Sequence, residues 1–399
     1  MIPPYNKRVE ALRESPTRAI NRVVEQMRKK GLDVIMLSAG EPGVPPPREV
    51  RLWLAKALEE ESMRLYSYTP SPGFMDLREA IAMDMKELEG VEVSPDQILV
   101  VTGGQNAIFS SFAAILEPGD EVIIMDPTYF GYLNILPYFG VKLVPIVSPA
   151  ETAYQPDVEG IKEAVKRGKT KAIVLVSPDN PTGRLIREDV ARAIAEIAQD
   201  HGIWIVYDEP YKTLIYEGSH VSFFKLAPEN TISLYAFSKD PGIPGWRLGY
   251  VYGPAEIVRR IALVSEATTY NPPSVAQYLV LTYLRNREVR RRHIEYFRGV
   301  YAYRRDLMVE ELRKIEGISF YKPQGSMFVL VDAKEVLARK GLTVSAFADK
   351  LLREKHVAVV PGEFFGNSTV WSVRLSFTRE SPERIREGVA RFGDLLSQT

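Results

Sequence analysis

Residues 231–250 read TISLYAFSKDPGIPGWRLGY. The apolar run that ends at Phe237 predicts a buried strand, and Lys239 follows directly after it. Desolvation at such a position favours a neutral amine, which can attack an aldehyde and form an imine. After a Pro/Gly-rich loop, Arg247 returns a fixed cation to the same place, where it can anchor a phosphate. An imine-forming amine and a phosphate anchor together suit pyridoxal 5'-phosphate, which is an aldehyde with a phosphate group. Taken alone, Lys239 would be explained as an ordinary surface lysine after a strand.

The sequence around this stretch has the pattern of an α/β protein. Between about residues 75 and 255, helix-period segments alternate with apolar strand-like segments, which predicts a mostly parallel sheet covered by helices on both faces. Residues 77–88 carry apolar side chains on one helical face, and Gly90 follows as a stop. Such sheets bind ligands beyond the carboxyl ends of their strands. The predicted strands are 97–102, 121–126, 171–177, 203–208, 231–237 and 248–252.

The remainder of the chain predicts a second, smaller α+β domain. An Arg-rich helical stretch covers about residues 286–314, and helices mixed with short strands follow it. The N-terminal segment is too short to form a domain alone, and it ends at a proline-rich connector, 41–47, that cannot be helical. We therefore predict that residues 1–47 pack with the small domain, that 48–290 form the large cofactor-binding domain, and that 291–399 form the small C-terminal domain.

Composition narrows the class of protein. The chain has 51 Lys and Arg against 51 Asp and Glu, so no basic excess favours nucleic acid or an anionic membrane. It has no bilayer-spanning stretch, and its start lacks the apolar segment of a signal peptide, so we expect a cytoplasmic protein. The absence of cysteine excludes disulfides and thiolate metal sites, and we predict no metal site. With 28 prolines and no cysteine, the composition suits a hot environment.

Two further strand ends carry residues suited to the ring of pyridoxal phosphate. Asp208 ends an apolar strand, where its carboxylate would keep a pyridine nitrogen protonated and the ring electron-poor. Tyr211 and Asn180 can donate hydrogen bonds to the ring oxygen, and Tyr129, after another strand, can stack on the ring. Taken singly, each has an ordinary explanation as part of a helix cap, a turn or the core.

The remaining candidates bind anions. Gly103 and Gly104 join a strand to a helix whose free backbone N–H groups can bind phosphate, together with Ser238. Arg374 lies in an apolar β-like run, where a guanidinium held in a cleft would bind a carboxylate through two hydrogen bonds. Gly40 would let that carboxylate approach the backbone closely. A nicotinamide enzyme is less favoured, because no Gly-x-Gly-x-x-Gly precedes an acidic residue at the required distance.

In this order the motifs resemble the fold-type I pyridoxal-phosphate enzymes, specifically the class I/II aminotransferases of the aspartate aminotransferase superfamily. The resemblance spans residues 37–377 and includes 68–73, 180–183, 208–211 and 238–247. It implies a seven-stranded, mostly parallel sheet sandwiched by helices, with a small domain built from both terminal segments. It also implies a transaminase that moves the amino group of an L-amino acid to a 2-oxo acid, with 2-oxoglutarate expected, by a ping-pong mechanism. A pyridoxal-phosphate-dependent β-lyase of the same fold is the alternative.

The resemblance also assigns roles to individual residues. Lys239 would form the imine and carry the proton, with Asp208 and Tyr211 completing the catalytic set. Tyr68 would come from the neighbouring subunit, because sites of this family lie between the two chains of a homodimer. The implied cofactor-binding set is Gly103, Gly104, Gln105, Tyr129, Asn180, Asp208, Tyr211, Ser238, Lys239, Arg247 and Tyr68. The implied substrate-binding set is Gly40, Tyr129, Asn180 and Arg374.

One departure from the family bears on the substrate. In the prokaryotic aspartate enzymes of this subgroup, a lysine follows the glycine pair and helps to recognise the distal carboxylate, whereas this chain has Gln105. The donor therefore stays open, and Gln105 with the chain's many tyrosines favours neutral or aromatic amino acids. A transcription regulator with an aminotransferase-like body is a rival of another class, but the N-terminal segment contains no convincing helix-turn-helix.

Overall fold

The computed structural model describes residues 6–60 and 62–398, so part of the start assessed for a signal peptide lies outside the described residues. The helices are α1 (Pro16–Lys29), α2 (Arg48–Glu59), α3 (Met63–Tyr66), α4 (Met75–Glu89), α5 (Gly104–Ile115), α6 (Phe130–Ile135), α7 (Val158–Ala164), α8 (Glu188–His201), α9 (Phe223–Leu226), α10 (Ala255–Thr269), α11 (Ser274–Arg285), α12 (Arg287–Leu312), α13 (Lys334–Arg339), α14 (Val344–Lys355) and α15 (Pro382–Gln398). The strands are β1 (Ile35–Met36), β2 (Ile98–Val101), β3 (Glu121–Asp126), β4 (Lys142–Val147), β5 (Thr170–Val176), β6 (Trp204–Asp208), β7 (Thr231–Ala236), β8 (Gly249–Tyr252), β9 (Ser319–Phe320), β10 (Phe328–Asp332), β11 (Val357–Ala358), β12 (Val360–Pro361) and β13 (Ser372–Ser376).

The large sheet contains seven strands in the order β2-β8-β7-β6-β5-β3-β4. Strands β4, β3, β5, β6 and β7 run parallel, and β8 runs antiparallel to both of its neighbours. The mostly parallel α/β sheet is therefore confirmed. Within it Asp208 pairs in register with Val176 on one side and Leu234 on the other. This register brings Asp208, at the end of β6, to the same edge as Lys239, which follows β7.

The six predicted strands of this sheet match the observed ones to within one residue at each end. Helix α4 ends as predicted, with Gly90 in the left-handed conformation at φ 63°. The sequence did not indicate β4, because this edge strand contains Pro145 and leaves Lys142 and Val147 exposed. It therefore lacks the continuous apolar run by which the central strands were recognised.

Helices cover both faces of the large sheet. On one face α5 buries Ile108 and Phe112 in a cluster with Val206. On the other face α8 buries Ile194 in a cluster that includes Ile205. Burial on both faces is the physical reason for the apolar strands seen in the sequence. Within residues 6–60 and 62–398, no helix combines the length and apolarity needed to cross a membrane.

The two chain ends meet outside the large sheet. Strands β12, β13, β10 and β9 form an antiparallel sheet, and β1 pairs in parallel with β11 through Ile35↔Val357. This pairing supports the expectation that the N-terminal segment packs with the C-terminal part of the chain. Helix α12 runs continuously through residue 290, so the predicted boundary at 290/291 falls inside a helix. The domain limits stay predictions.

Candidate active site

A cavity of about 550 Å³ opens at the carboxyl ends of β6 and β7. Lys239 and Asp208 both line it, which is the arrangement that the cofactor prediction requires. Most of the predicted site residues, although distant in sequence, come together here. Those lining the cavity are Gly40, Gly104, Gln105, Tyr129, Asn180, Asp208, Tyr211, Ser238, Lys239, Arg247 and Arg374.

The Lys239 amine is held in a partly buried, cationic environment. Its Nζ donates a hydrogen bond to the carbonyl of Gly40 at 2.6 Å. Burial lowers the pKa of Lys239 to about 8; the nearby carboxylate of Glu41 raises it, whereas Arg374 and Arg247 lower it further. The amine is charged below that pKa and neutral above it. Lys239 can therefore act as a nucleophile or base at mildly alkaline pH.

Asp208 is a buried carboxylate without a cationic partner. Asp208 is 8% exposed, and no cationic side chain of the described residues lies within ion-pair distance of its carboxylate. Burial raises the pKa of Asp208 to about 7, a hydrogen bond from Tyr132 and the charge of Lys239 lower it, and the neighbouring Glu209 raises it. A buried carboxylate in this state gains from a bound cationic group. A protonated pyridine nitrogen is such a group.

Tyr132 is a site residue that the sequence analysis missed. It is completely buried on α6, and its hydroxyl donates to Asp208 Oδ2 at 2.7 Å. The only signal was its spacing, since Tyr129 and Tyr132 lie three residues apart at the start of a helix. Their rings meet edge to face at 5.9 Å. Tyr132 therefore positions the Asp208 carboxylate without itself lining the cavity.

We expect Tyr132→Phe to lower kcat/KM for amino acids by roughly tenfold to a hundredfold, because a hydrogen bond to a charged group contributes about 1.5–3 kcal/mol. The rate of the first half-reaction, followed by the absorbance of the bound cofactor, measures this loss. Tyr303→Phe, on the exposed side of α12, is the matched control. Equal rates in both variants would contradict a positioning role for Tyr132.

Arg374 lies in the middle of β13 and is 4% exposed. Nη1 donates to Asn180 Oδ1 at 2.9 Å, and Nη2 donates to the carbonyl of Ser38 at 3.0 Å. The guanidinium lies 4.1 Å from the ring centre of Phe328 and 4.9 Å from that of Phe365. Hydrogen bonds and aromatic rings thus fix its plane and direction.

The charge of Arg374 has no counterion among the residues that the structure describes. Its contacts are a side-chain amide and a carbonyl, and its Nε is buried without a hydrogen-bond partner. Burial lowers the pKa of Arg374 to about 10, so the group is still cationic at neutral pH. A rigid, buried, unpaired guanidinium is suited to a ligand carboxylate.

The residues predicted to bind phosphate meet at the start of α5. Gly103 caps this helix at φ 79°, and a Cβ atom there would lie 2.7 Å from Arg247 Nη2. Glycine is therefore required both by the backbone conformation and by the guanidinium packed against it. Arg247 itself is left-handed, with φ 55°, and donates to the carbonyl of Pro244 at 2.9 Å. A helix N-terminus beside an arginine is a strong site for a phosphate, and Ser238 lines the same cavity.

Two tyrosines complete the walls of the cavity. Tyr211 is buried with its ring edge-on to Phe328 at 6.0 Å, and burial raises its pKa far above the usual range. It is therefore a hydrogen-bond donor at any ordinary pH. Tyr129 packs so closely over Gly131 that a Cβ atom there would lie 2.3 Å from its ring. Glycine at position 131 therefore leaves room for the Tyr129 ring.

Tyr68 does not join the cavity of its own chain. It is 84% exposed, and its ring meets Tyr270 at 5.3 Å with an interplanar angle of 77°. Tyr68 was predicted to reach the cofactor site of a neighbouring subunit, and this stays a prediction.

These features fit pyridoxal 5'-phosphate. The Lys239 amine matches its aldehyde, the uncompensated Asp208 carboxylate matches its ring nitrogen, and the cup at Gly103 and Arg247 matches its phosphate. The unpaired Arg374 adds a place for a substrate carboxylate. Together the α/β fold and this cavity define a pyridoxal-phosphate enzyme that acts on amino acids.

Comparison with known proteins identifies the family. Residues 32–392 match the model for aminotransferase class I and II. The chain is 36% identical to the aspartate/prephenate aminotransferase of Thermus thermophilus, over 98% of this chain and 99% of the relative. It matches the solved structure of Thermus thermophilus aspartate aminotransferase with maleate at a TM-score of 0.92 and 35% identity, over 99% of this chain and 100% of the other. It also matches the solved structure of the aromatic aminotransferase of Pyrococcus horikoshii, with a TM-score of 0.86 and 30% identity, over 94% of this chain and 99% of the other. The chain belongs to the aminotransferase class I and II family.

Membership confirms the cofactor and the reaction class. The protein is a pyridoxal-phosphate-dependent transaminase that moves an amino group between amino and 2-oxo acids. The relatives do not favour the β-lyase alternative.

Proposed function

We propose that this transaminase prefers acidic L-amino acids as donors, with 2-oxoglutarate as the acceptor. The observation that carries the proposal is Arg18, an exposed arginine of α1 that lines the same cavity as Arg374. Arg18 has no carboxylate partner in residues 6–60 or 62–398. Glu41, an acidic side chain that also lines the cavity, is paired with Arg379 at 3.1 Å. A second carboxylate on the substrate would therefore meet an uncompensated cation at Arg18.

Arg18 would replace the charge that is absent at Gln105. Both side chains line the cavity, so a guanidinium from α1 is available in the same cavity as Gln105. The expectation of a neutral or aromatic donor rested on Gln105 and on the tyrosine content, and it did not include Arg18. The relatives' names alone leave the choice open, because one relative is named for aspartate and prephenate and another for aromatic substrates.

We assign the binding roles from the contacts around each residue. Arg374 and the backbone at Gly40 would hold the substrate α-carboxylate. The N-terminus of α5, at Gly103 and Gly104, would hold the cofactor phosphate. The guanidinium of Arg247, the hydroxyl of Ser238 and the amide of Gln105 would also contact this phosphate.

We assign the ring contacts in the same way. Asp208 would hold the cationic ring nitrogen, steadied by the hydroxyl of Tyr132. Tyr211 and Asn180 would donate to the ring oxygen, and Tyr129 would lie against the ring. Asn180 also bonds Arg374, so the same amide would align the substrate carboxylate with the cofactor.

The chemistry divides between the cofactor and the chain. When bound, pyridoxal phosphate supplies an aldehyde that condenses with amines and a ring that withdraws electrons from the substrate α-carbon. Lys239 Nζ, neutral above a pH of about 8, would hold the cofactor and then accept the substrate α-proton. Arg374 would orient the substrate so that this proton faces the amine, and Asp208 would keep the opposite end of the site negative.

We also propose that two copies pair with shared sites. Tyr68 is highly exposed and lies outside the cavity of its own chain. It is therefore free to reach the phosphate cup of a second copy. The exposed ring of Tyr270, packed against Tyr68, would lie at the same interface.

The donor preference is tested with Arg18→Gln. We expect kcat/KM for aspartate and glutamate to fall roughly tenfold to a hundredfold, the effect of losing one hydrogen bond between charged groups, while alanine and phenylalanine are unaffected. The first half-reaction should be measured without an oxo acid, because 2-oxoglutarate itself carries two carboxylates. Arg22→Gln, one turn further along α1 and paired with Glu14, is the control. An equal loss for all donors, or a wild-type preference for aromatic donors, would contradict the proposal.

A further inference from the structure

A second cavity, of about 620 Å³, lies beside the loop that follows Asp208. Glu89 and His220 line it, and Glu209 is completely buried next to them. One ligand atom from each of Glu89, Glu209 and His220 lies within 4.8 Å of the other two. Two carboxylates and an imidazole form a ligand set that divalent transition metals accept.

The spacing of the three ligand atoms suits one ion. His220 Nε2 lies 2.9 Å from Glu209 Oε2 and 3.7 Å from Glu89 Oε2. Metal bonds of about 2 Å from each of these atoms could meet at a common centre. The three groups come from the end of α4, the end of β6 and the following loop.

The surroundings of His220 orient its ring for this role. Its Nδ1 lies 3.5 Å from the hydroxyl oxygen of Tyr207, whose own proton is donated to the carbonyl of Val221 at 2.9 Å. Nδ1 can therefore carry the ring proton and direct it at the Tyr207 oxygen. In this structure Nε2 donates a hydrogen bond to Glu209 Oε2 at 2.9 Å, because a carboxylate can only accept. An incoming metal ion would release this proton to water, and Nε2 would then offer its lone pair while Nδ1 keeps the ring proton, as in histidines that bind metals.

Lys212 contacts both carboxylates of this cluster but supplies only one positive charge. Its Nζ lies 2.6 Å from Glu89 Oε1 and 3.0 Å from Glu209 Oε1, so it uses the Oε1 atom of each carboxylate. One ammonium therefore faces two carboxylates. Glu89 also ends α4, where the helix dipole adds negative potential. The Oε2 atoms therefore face a place that favours another cation.

Two buried hydroxyls line the same cavity without a partner. Thr213 Oγ1 and Ser222 Oγ make no hydrogen bond in the described part of the chain, and their residues are 4% and 7% exposed. A buried hydroxyl left unsatisfied costs roughly 1–3 kcal/mol. Thr213 and Ser222 therefore leave two buried polar atoms unsatisfied in residues that line this cavity.

We propose that Glu89, Glu209 and His220 bind one divalent transition-metal ion, for which zinc is the probe, and that water completes its coordination. The ion ties the end of α4 to the loop that follows Asp208. Its role is structural, because the ligands lie outside the cavity that holds Lys239. From the sequence we predicted no metal site, since ligands on three separate segments form no spacing motif.

Zinc binding to the holoenzyme tests this site. After removal of metals with a chelator, equilibrium dialysis against zinc should give one ion per chain and a raised Tm. The background is low, because the chain has four histidines and no cysteine. His220→Gln should weaken zinc binding by about tenfold or more, since it removes one ligand. His201→Gln, on the exposed end of α8, is the matched control and should bind as wild type does.

Lys212→Met gives the opposite expected change. Removal of the neighbouring ammonium should tighten zinc binding by about tenfold, because one repulsive charge is lost. This sign distinguishes a metal site from a folding defect, which would weaken binding in every variant. If His220→Gln does not fold, Glu89→Gln takes its place with the same expectation. No uptake of zinc by wild type at micromolar concentrations, unchanged binding in the ligand variants, or weaker binding in Lys212→Met would overturn the proposal.

Discussion

Lys239→Ala lowers kcat for transamination by about 10⁴-fold, the upper range for loss of a positioned general base. The physical reason is that the chain holds one partly buried amine against the cavity, with its pKa lowered to about 8 by burial. Alanine leaves the substrate α-proton without an acceptor. The measurement is the rate of the first half-reaction with an amino acid, followed in the holoenzyme by rapid mixing.

Three controls separate this loss from other effects of the substitution. Lys171→Ala removes an exposed lysine of β5 and should leave the rate unchanged. Added methylamine should restore part of the activity of Lys239→Ala, because a small free amine can enter the vacated space and accept the proton. Lys239→Arg should stay inactive, since a guanidinium is not deprotonated near neutral pH. Turnover near the wild-type rate in Lys239→Ala would rule out the assigned role.

The sequence was sufficient to predict those parts of the fold that depend on continuous patterns. The central strands are apolar on both faces, and the residues at or just after the ends of five of the six predicted strands reach the cavity. The exception is 248–252, which runs antiparallel, so that Arg247 before its start reaches the cavity instead. The edge strand β4 escaped prediction because its exposed, proline-containing sequence does not differ from a loop. Gly103 was recognised from a glycine pair, but its close approach to Arg247 is visible only in three dimensions.

The residues that the sequence did not indicate act through contacts between distant segments. Tyr132 looks like an ordinary helix residue until the sheet places Asp208 at 2.7 Å from its hydroxyl. Arg18 lies on an amphipathic helix, where an exposed arginine is normal, and only the cavity lining connects it to the substrate. Glu209 and His220 are eleven positions apart, but their partner Glu89 lies on another helix. The spacing of residues along the sequence does not indicate contacts between segments that are distant in the chain.

The three arginines that line the cavity differ in the groups that surround their charges. We propose their roles from this difference. Arg247 packs on the helix N-terminus at Gly103, where both groups would attract the same phosphate. Arg374 is buried and held by neutral partners, so its charge is available to a ligand of fixed geometry. Arg18 is exposed and has no carboxylate partner among the described residues, which suits a variable part of the substrate. A substitution at each position should therefore change a different step of recognition.

Arg374→Gln lowers kcat/KM for every amino acid donor by about 10²- to 10³-fold. Removing one partner of a buried, hydrogen-bonded charge pair costs about 2–5 kcal/mol, and 1.4 kcal/mol corresponds to tenfold. The loss applies to alanine as much as to aspartate, because every donor has an α-carboxylate. Arg374→Lys recovers little of it, since an ammonium cannot reproduce the planar pair of N–H donors that Phe328 and Phe365 hold in place.

The measurement is kcat/KM of the first half-reaction for acidic and neutral donors in parallel with Arg18→Gln. The two arginines then separate by pattern, because Arg374→Gln affects all donors and Arg18→Gln affects only the acidic ones. Retained cofactor and an unlowered Tm show that Arg374→Gln has not damaged the fold, since the substitution removes a buried charge that no described carboxylate compensates. A loss in Arg374→Gln that is confined to aspartate and glutamate would reverse the two assignments, and Arg374 would then be the residue that binds the distal carboxylate.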